Sequence, residues 1–145
     1  MKWSGKELRK IGIMGLSGFK KRIEEKTAEE WFELGLEEKD PKKKIEYYSK
    51  CLKLDPKNAD AWHNIGSALD DLGRYEEAIR CYDRALEIDP RDVVVWNNKG
   101  VALTKLGKYN EAIRCFDKAL DIDPLYVRAE NYKKLAIKEL SLIHI

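Results

Sequence analysis

The sequence contains few of the residues on which catalysis, metal binding and covalent cross-linking usually depend. Its 145 residues include two histidines and three cysteines. Neither histidine, His63 or His144, lies in a motif with a nucleophile or an acidic pair, so the sequence indicates no enzyme, no cofactor and no metal site. An odd number of cysteines without metal-ligand spacing favours reduced thiols in a cytoplasmic protein over a disulfide framework.

Long apolar runs are also absent. No segment approaches the roughly 20 apolar residues that a membrane-spanning helix needs. The most apolar early segment, residues 11–19, contains three glycines and is followed by Lys20, Lys21 and Arg22 rather than a cleavage site, so we expect no signal peptide. The net charge is only +2. Residues 1–26 hold eight basic and three acidic residues, so the basic surplus lies in this leader and nothing in the remainder attracts nucleic acid or an anionic membrane.

A tandem repeat of 34 residues dominates the rest of the chain. Residues 59–92 and 93–126 are identical at 19 of 34 positions. Apolar residues recur at helical spacing in each half of the unit, beginning with Trp62, Ile65 and Leu69 in the first half of repeat two. Each unit is therefore predicted to be a pair of amphipathic helices, and the chain to be all-α.

Small residues and caps support this interpretation. Gly66 and Gly100 allow the two helices of a pair to approach closely, and we expect Trp62 and Trp96 to fill the remaining space. Gly73 and Gly107 follow the first helices where a left-handed cap is needed. The cysteines lie on second helices at repeat positions and need no separate role. Asn58 and Asp92 are predicted to cap the next first helices; Thr27 is predicted to cap the first helix of repeat one.

The pattern resembles the tetratricopeptide repeat (TPR) family, in which tryptophan, leucine, glycine, tyrosine, alanine, an aromatic residue, alanine and proline recur across 34 residues. The resemblance is close from Ala59 to Pro124 and partial from Ala28 to Pro56. It implies a right-handed superhelical array of antiparallel helix pairs. One departure is Lys99, which stands where repeat two has Ile65; we expect its stem to lie along the core and its amine to reach water.

The chain is therefore divided into a basic leader and a repeat domain. The leader, residues 1–26, is expected to be helical or partly mobile, and the TPR domain covers residues 27–145. The predicted repeats span residues 28–58, 59–92 and 93–126. Repeat one is three residues shorter than the others between its tryptophan and its proline, which predicts a shorter first helix. Asp40 and Pro41 are expected to begin its second helix.

The segment after Pro124 is predicted to be a capping helix, residues 125–142. Glu130 stands where the next tryptophan would fall, and no partner helix follows in the sequence. Tyr126, Ala129 and Ala136 form an inward stripe, while the opposite side is mainly charged, as expected for the end of a repeat array. The apolar tail of the chain either completes this cap or contacts another subunit, so a homo-oligomer through the terminal helices is possible.

The predicted function is protein–protein interaction, with a peptide segment of a partner bound along the first helices. A second stripe on each first helix faces away from the partner helix of its pair, and in TPR proteins these stripes merge into a concave groove. The groove is acidic in the middle and basic toward the C-terminus. The predicted groove residues are Phe32, Leu36, Asp60, His63, Asn64, Ser67, Asp70, Val94, Asn97, Asn98, Val101, Thr104, Lys105, Arg128 and Asn131.

Asn64 and Asn98 occupy the same repeat position beside this stripe. Each amide offers a donor and an acceptor, so the pair could hold the backbone of an extended peptide about three residues apart. The alternative is that both amides only tie neighbouring helices together.

Three other functions are less well supported. Self-assembly through the terminal helices is the main alternative to partner binding. An RNA-binding helical repeat is disfavoured because Asp60, Asp70 and Asp71 would repel phosphates. A chaperone co-factor that clamps a C-terminal carboxylate would need a set of lysines, asparagines and an arginine; of the matching positions, only Asn98 agrees in identity and Arg128 in charge. No nucleic acid and no membrane is expected as a partner.

Overall fold

The computed structural model describes residues 25–143. This part of the chain forms seven α-helices and no strand, which confirms the all-helical prediction. Across the same residues, no helix is both long enough and apolar enough to cross a membrane. The predicted leader lies outside the described residues apart from Glu25 and Lys26. The helices are α1 (Ala28–Glu37), α2 (Pro41–Leu54), α3 (Ala59–Asp71), α4 (Tyr75–Ile88), α5 (Val93–Lys105), α6 (Tyr109–Ile122) and α7 (Val127–Ile143).

The helix ends lie where the capping residues predicted them. The side chains of Asn58 and Asp92 accept hydrogen bonds from the backbone N–H three residues later, at 3.0 and 3.2 Å. These bonds satisfy donors that the first turn of a helix leaves unpaired. Gly73 and Gly107 follow α3 and α5 with φ of +73° and +76°, a conformation that costs other residues energy. A defined turn therefore joins the two helices of each of these pairs.

Repeat one has the shorter first helix that its spacing predicted. Helix α1 has 10 residues, whereas α3 and α5 each have 13. Asp40 caps α2 by accepting a hydrogen bond from the backbone N–H of Lys42 at 3.2 Å, and Pro41 occupies the first helical position. The missing residues amount to nearly one turn of helix, so α1 is about one turn shorter along its own axis than its counterparts are.

Each pair packs an aromatic ring of its second helix against a glycine of its first. A Cβ atom added at Gly66 would lie 2.5 Å from Cε1 of Tyr82, and Gly100 meets the Phe116 ring in the same way. Both rings are fully buried. The close approach was predicted, but the tryptophans do not fill this space: Trp62 and Trp96 are half-buried. Their indole N–H groups donate to the carbonyls of Pro56 and Pro90 at 3.1 and 2.8 Å.

Successive pairs stack into an array in which first helices adjoin. Each helix packs against the next one in the chain, and in addition α3 touches α5 and α5 touches α7. The core runs through the whole stack as two adjoining clusters of buried residues. One side of the array is consequently a surface made of first helices, and the opposite side is made of second helices.

Helix α7 covers the last pair. Ala129 and Ala136 are fully buried against it, and the Tyr132 ring stacks on Phe116 with centroids 6.0 Å apart. At the position matching Gly66 and Gly100, α7 carries Lys134, which is exposed and lies 3.4 Å from Glu130. Because a lysine replaces the glycine that a second helix would need, this surface does not accept another helix in the manner of α4 or α6.

Candidate functional site

The predicted groove residues lie on the first helices, and we call the surface that they form the first-helix wall. Their exposure divides them into three groups. The exposed side chains are Leu36, Asp60, Val94, Lys105, Arg128 and Asn131. The half-buried side chains are Phe32, His63, Asn64, Ser67, Asp70, Asn98, Val101 and Thr104. Asn97 alone among them is buried, with 1% of its surface exposed.

The burial of Asn97 corrects the expectation that it belongs to the open groove. Its repeat equivalent in α3, His63, is only half-buried. The two positions differ in burial because α5 packs against two first helices, α3 on one side and α7 on the other. Helix α3 packs to a similar degree against only one first helix, α5. The Oδ1 atom of Asn97 is buried and makes no hydrogen bond within residues 25–143. Asn97 is therefore not available for contacts with a ligand on the wall.

His63 and Asn98 connect two first helices in the middle of the wall. The Nδ2 atom of Asn98 lies 3.0 Å from Nε2 of His63, which spans the junction of α3 and α5. If the imidazole presents a lone pair at Nε2, the amide donates to it. This contact occupies one side of the Asn98 amide, so for Asn98 the geometry supports the alternative in which the amide ties neighbouring helices together.

Asn64 lies near Tyr48 of the preceding pair. Burial raises the pKa of Tyr48, and a hydrogen bond between the Asn64 side chain and the phenol opposes that shift. Beside it, a small pocket of about 150 Å³ opens between α1 and α3. Its lining includes Leu36, Ser67 and Asp71. Lys44 and Tyr48 of α2 also line this pocket.

Asp70 and Tyr82 form a linked pair behind the wall. The Tyr82 hydroxyl donates to Oδ2 of Asp70, and Oδ1 of Asp70 is buried without a partner in the described residues. Burial raises the pKa of Asp70, while the hydrogen bond from Tyr82 opposes the shift. Burial, together with the neighbouring carboxylate of Asp70, also raises the pKa of Tyr82. Asp70 is therefore a structural acceptor for Tyr82 more than a free surface charge.

The next repeat changes both members of this pair together. Where repeat two has Tyr82, repeat three has Phe116, which needs no acceptor. Where repeat two has Asp70, repeat three has Thr104, whose hydroxyl donates to the carbonyl of Gly100 at 2.9 Å. The residue at this position therefore accepts a hydrogen bond where the ring carries a hydroxyl, and it bonds to its own helix where the ring does not.

Sequence reasoning missed two ion pairs that join successive repeats. Lys99 Nζ lies 2.6 Å from Oδ1 of Asp83, and Lys133 Nζ lies 2.6 Å from Oδ1 of Asp117. The two pairs are related by the 34-residue repeat, a signal that the sequence already carried. The Lys99 amine also lies 5.6 Å from the Trp96 ring centroid. Its stem follows the core as predicted, but its amine ends on a carboxylate of the preceding second helix rather than in water alone.

The cysteines in the described part of the chain are reduced and largely buried. Cys51, Cys81 and Cys115 are free thiols, and burial raises the pKa of both Cys81 and Cys115 to about 11. Thiols protonated at neutral pH are poor nucleophiles. In residues 25–143, no group of three or more histidine, cysteine, aspartate or glutamate side chains is placed to hold a metal ion.

The stacked pairs, glycine–ring contacts and polar end helix define the class of the protein as an α-helical repeat array. Comparison with known families identifies the repeat itself: tetratricopeptide repeats match residues 33–58, 59–92 and 93–126. These matches cover more than half of the chain, and the chain belongs to the tetratricopeptide repeat family.

Individual proteins are similar to this chain, and two of the solved structures are TPR domains. An uncharacterized protein of Methanocaldococcus jannaschii is 44% identical over 59 residues, which cover 39% of this chain and 69% of that protein. The TPR domain of Arabidopsis OM64 superposes with a TM-score of 0.73 at 27% identity, over 77% of this chain and 95% of that one. The second TPR domain of human RPAP3, solved in complex with an HSP70 peptide, gives a TM-score of 0.65 at 27% identity, over 75% and 88% of the two chains.

Proposed function

We propose that this chain is a non-enzymatic protein interaction module that binds an extended segment of a partner protein along the first-helix wall. The observation that carries the proposal is the row of apolar and charged side chains that helix packing leaves exposed there. Leu36 is 49% exposed and Val94 is 40% exposed, although both lie on helices whose other apolar residues are used in the core. The human RPAP3 domain supports the proposal because it holds a peptide on a similar fold.

The charges along the wall favour one direction for the bound segment. Asp60 and Asp71 on α3 are exposed carboxylates, whereas Lys105 on α5 and Arg128 on α7 are exposed cations. A segment with a basic residue over α3 and an acidic residue or terminal carboxylate over α7 would be complementary. Packed helices lie about 8 to 10 Å apart and an extended chain advances about 3.3 Å per residue. Each first helix would therefore meet about three residues of the segment.

Val94 and Val101 supply the apolar part of the proposed contact. They lie two turns apart on α5, between the acidic and the basic regions of the wall. An apolar side chain of the partner would be anchored here, where burial of its surface adds affinity that does not depend on salt. The proposed partner is thus a segment with one apolar anchor between a basic and an acidic residue.

The test uses two matched double variants of the full chain. Asp60→Lys with Val94→Lys changes the wall, and Asp121→Lys with Leu54→Lys makes the same kinds of substitution on the opposite side. All four residues are exposed, so both variants should fold. A peptide is first selected from a phage-displayed random library against the unmodified chain, and its affinity is then measured by isothermal titration calorimetry.

We expect the wall variant to bind the selected peptide at least about tenfold more weakly, a loss of roughly 1.4 kcal/mol. The variant with substitutions at Asp121 and Leu54 should bind as the unmodified chain does. Equal affinity for the two variants, or a library that yields no peptide at all, would reject the wall as the binding surface.

A further inference from the structure

The side of the array opposite the first-helix wall carries two hollows at matching repeat positions. The larger one, about 430 Å³, lies between α2 and α4, and its floor is formed by α3. Its apolar lining comes from α2 and α3. This lining consists of Ile45, Leu52, Trp62, Ile65 and Leu69. We call this the Trp62 hollow.

The second hollow occupies the same place one repeat later, but it is smaller, at about 280 Å³. It contains Trp96 and Lys99, the equivalents of Trp62 and Ile65. Here Lys99 extends across to Asp83 and forms the 2.6 Å ion pair between successive repeats. In the Trp62 hollow the corresponding positions are Ile65 and Ser49, which cannot form an ion pair. The Trp62 hollow is therefore the larger of the two, and it has an apolar side chain where the other has a lysine.

Cations line one side of the Trp62 hollow. Arg74, Arg80 and Arg84 line its α4 side together with one acid, Glu77. Glu77 is held by Arg74, which donates to both of its carboxylate oxygens at 2.8 and 2.6 Å. Arg80 is exposed and makes no salt bridge within residues 25–143. The guanidinium of Arg84 lies 5.9 Å from the Trp62 ring centroid and forms an exposed ion pair with Glu87 at 3.3 Å, so Arg80 is the cation of the rim that is left without a salt bridge. The rim thus has a surplus of positive charge over an apolar floor.

We propose that the Trp62 hollow is a second docking site, which binds an acidic peptide segment of a partner protein through one large apolar side chain. The apolar side chain lies on Trp62 and Ile65, and flanking carboxylates pair with Arg80 and Arg84. The volume is within the range of natural ligand pockets and accommodates a phenylalanine or leucine side chain. Guanidinium groups suit carboxylates because their fork of donors matches the two oxygens. The array would then contact partners on both sides.

The repeat provides its own controls for a test by NMR spectroscopy. The probe is a hexapeptide with a phenylalanine–leucine pair at its centre and two glutamates on each side; a second peptide has lysines in place of the glutamates. Each tryptophan indole N–H gives a separate signal in a ¹H–¹⁵N spectrum of the full chain. We expect the acidic peptide to shift the Trp62 signal saturably, to leave the Trp96 signal in place, and to lose affinity as salt is raised.

Copying the ion pair of repeat three into repeat two should close the site. The variant Ser49→Asp with Ile65→Lys reproduces a packing that the chain already uses. We expect it to lower the affinity for the acidic peptide at least about tenfold. In the reverse variant, Asp83→Ser with Lys99→Ile, the Trp96 indole signal should shift when the acidic peptide is added. Arg80→Glu, a change of one exposed residue, should weaken binding without altering the fold.

Several outcomes would overturn the proposal. They are an unchanged Trp62 signal at millimolar acidic peptide, an equal response to the lysine peptide, or undiminished binding by the Arg80→Glu variant. A response to phosphatidylglycerol vesicles but not to the peptide would mean that the hollow meets a lipid surface instead. The peptide selected on the first-helix wall should bind all of these variants normally, so failure of one docking site is distinguishable from failure of the other.

Discussion

Glycines that face aromatic rings set the distance between the helices of each pair. At Gly100 a side chain would overlap the Phe116 ring, with an added Cβ only 2.8 Å from Cδ1. Alanine normally favours a helix over glycine by about 1 kcal/mol. Overpacking of a filled core costs about 1 to 3 kcal/mol. The second effect is the larger, because Phe116 is fully buried and has no room to move.

We therefore expect Gly100→Ala to lower the free energy of unfolding by up to about 2 kcal/mol, measured by urea denaturation. Gly100→Ala should cost less stability in a Phe116→Leu background than in the parent, because the smaller leucine side chain leaves space for the alanine methyl group. Lys105→Ala, an exposed substitution on the same helix, serves as the control. A Gly100→Ala protein more stable than the parent by about 1 kcal/mol, the gain expected in a helix with no ring against it, would show that α5 and α6 do not pack as described.

Asp70 gives the chain a pH-dependent contribution to stability. Burial raises the pKa of Asp70 above its ordinary value of 3.8. Between the ordinary and the raised pKa, the folded chain binds a proton that the unfolded chain has lost, so the free energy of unfolding falls as pH rises through this window. Asparagine at this position carries no charge and can still accept the hydrogen bond from Tyr82.

We expect the free energy of unfolding of Asp70→Asn, compared with that of the unmodified chain, to be higher at pH 7 than at a pH of about 3.5. At the lower pH, Asp70 is mostly protonated in both the folded and the unfolded chain. The measurement is the urea midpoint of both proteins across that range. Asp121→Asn, at an exposed position on α6, should show no such change. A constant difference between Asp70→Asn and the parent at every pH would contradict the assignment.

Helix α7 is the element that ends the array, and its two sides have different roles. The inner side buries Ala129 and Ala136 and stacks Tyr132 on Phe116. The outer side combines charged residues with exposed apolar ones, among them Leu135 and Leu142 at 52% and 55% exposure. The inner side therefore determines stability, and the outer side is available for other contacts.

Removal of residues 127–145 should make the chain aggregate. The deletion would uncover the buried surface around Phe116 and Ala119, a patch of several hundred Å² by our estimate, which is beyond what monomers usually expose. Size-exclusion chromatography with light scattering measures the result. Leu135→Gln with Leu142→Gln changes only exposed residues of α7 and should leave the chain folded. A truncated protein that stays monodisperse and unfolds with unchanged cooperativity would contradict the capping role.

At the scale of the whole molecule, the repeats are joined by contacts that recur with the sequence period. Asp83 with Lys99 and Asp117 with Lys133 connect a second helix to the next first helix. Partly exposed ion pairs of this kind contribute modestly, about 0 to 1 kcal/mol each. Their larger effect is on shape, because the repeat that lacks such a pair, at Ser49 and Ile65, has the wider hollow. The array thus has a first-helix wall on one side and two hollows of unequal volume on the other.

The helices, their caps and the order of the pairs were determined by the sequence alone. Local interactions decide these features: the spacing of Trp62, Ile65 and Leu69, the side-chain oxygens of Asn58 and Asp92, and the positive φ required after α3 and α5. The same is true of the shorter α1, because lost residues in a turn can be counted by comparison with the other repeats.

Only the tertiary structure decided which residues of the first-helix wall are open. His63 and Asn97 occupy the same repeat position, yet one is half-buried and the other is 1% exposed, because α5 lies between two first helices. The partner of Asn98, the ring that meets Gly100 and the carboxylate that receives Lys99 all belong to other helices. Periodicity assigns a residue to one side of its own helix, but burial depends on what the neighbouring helices place against that side.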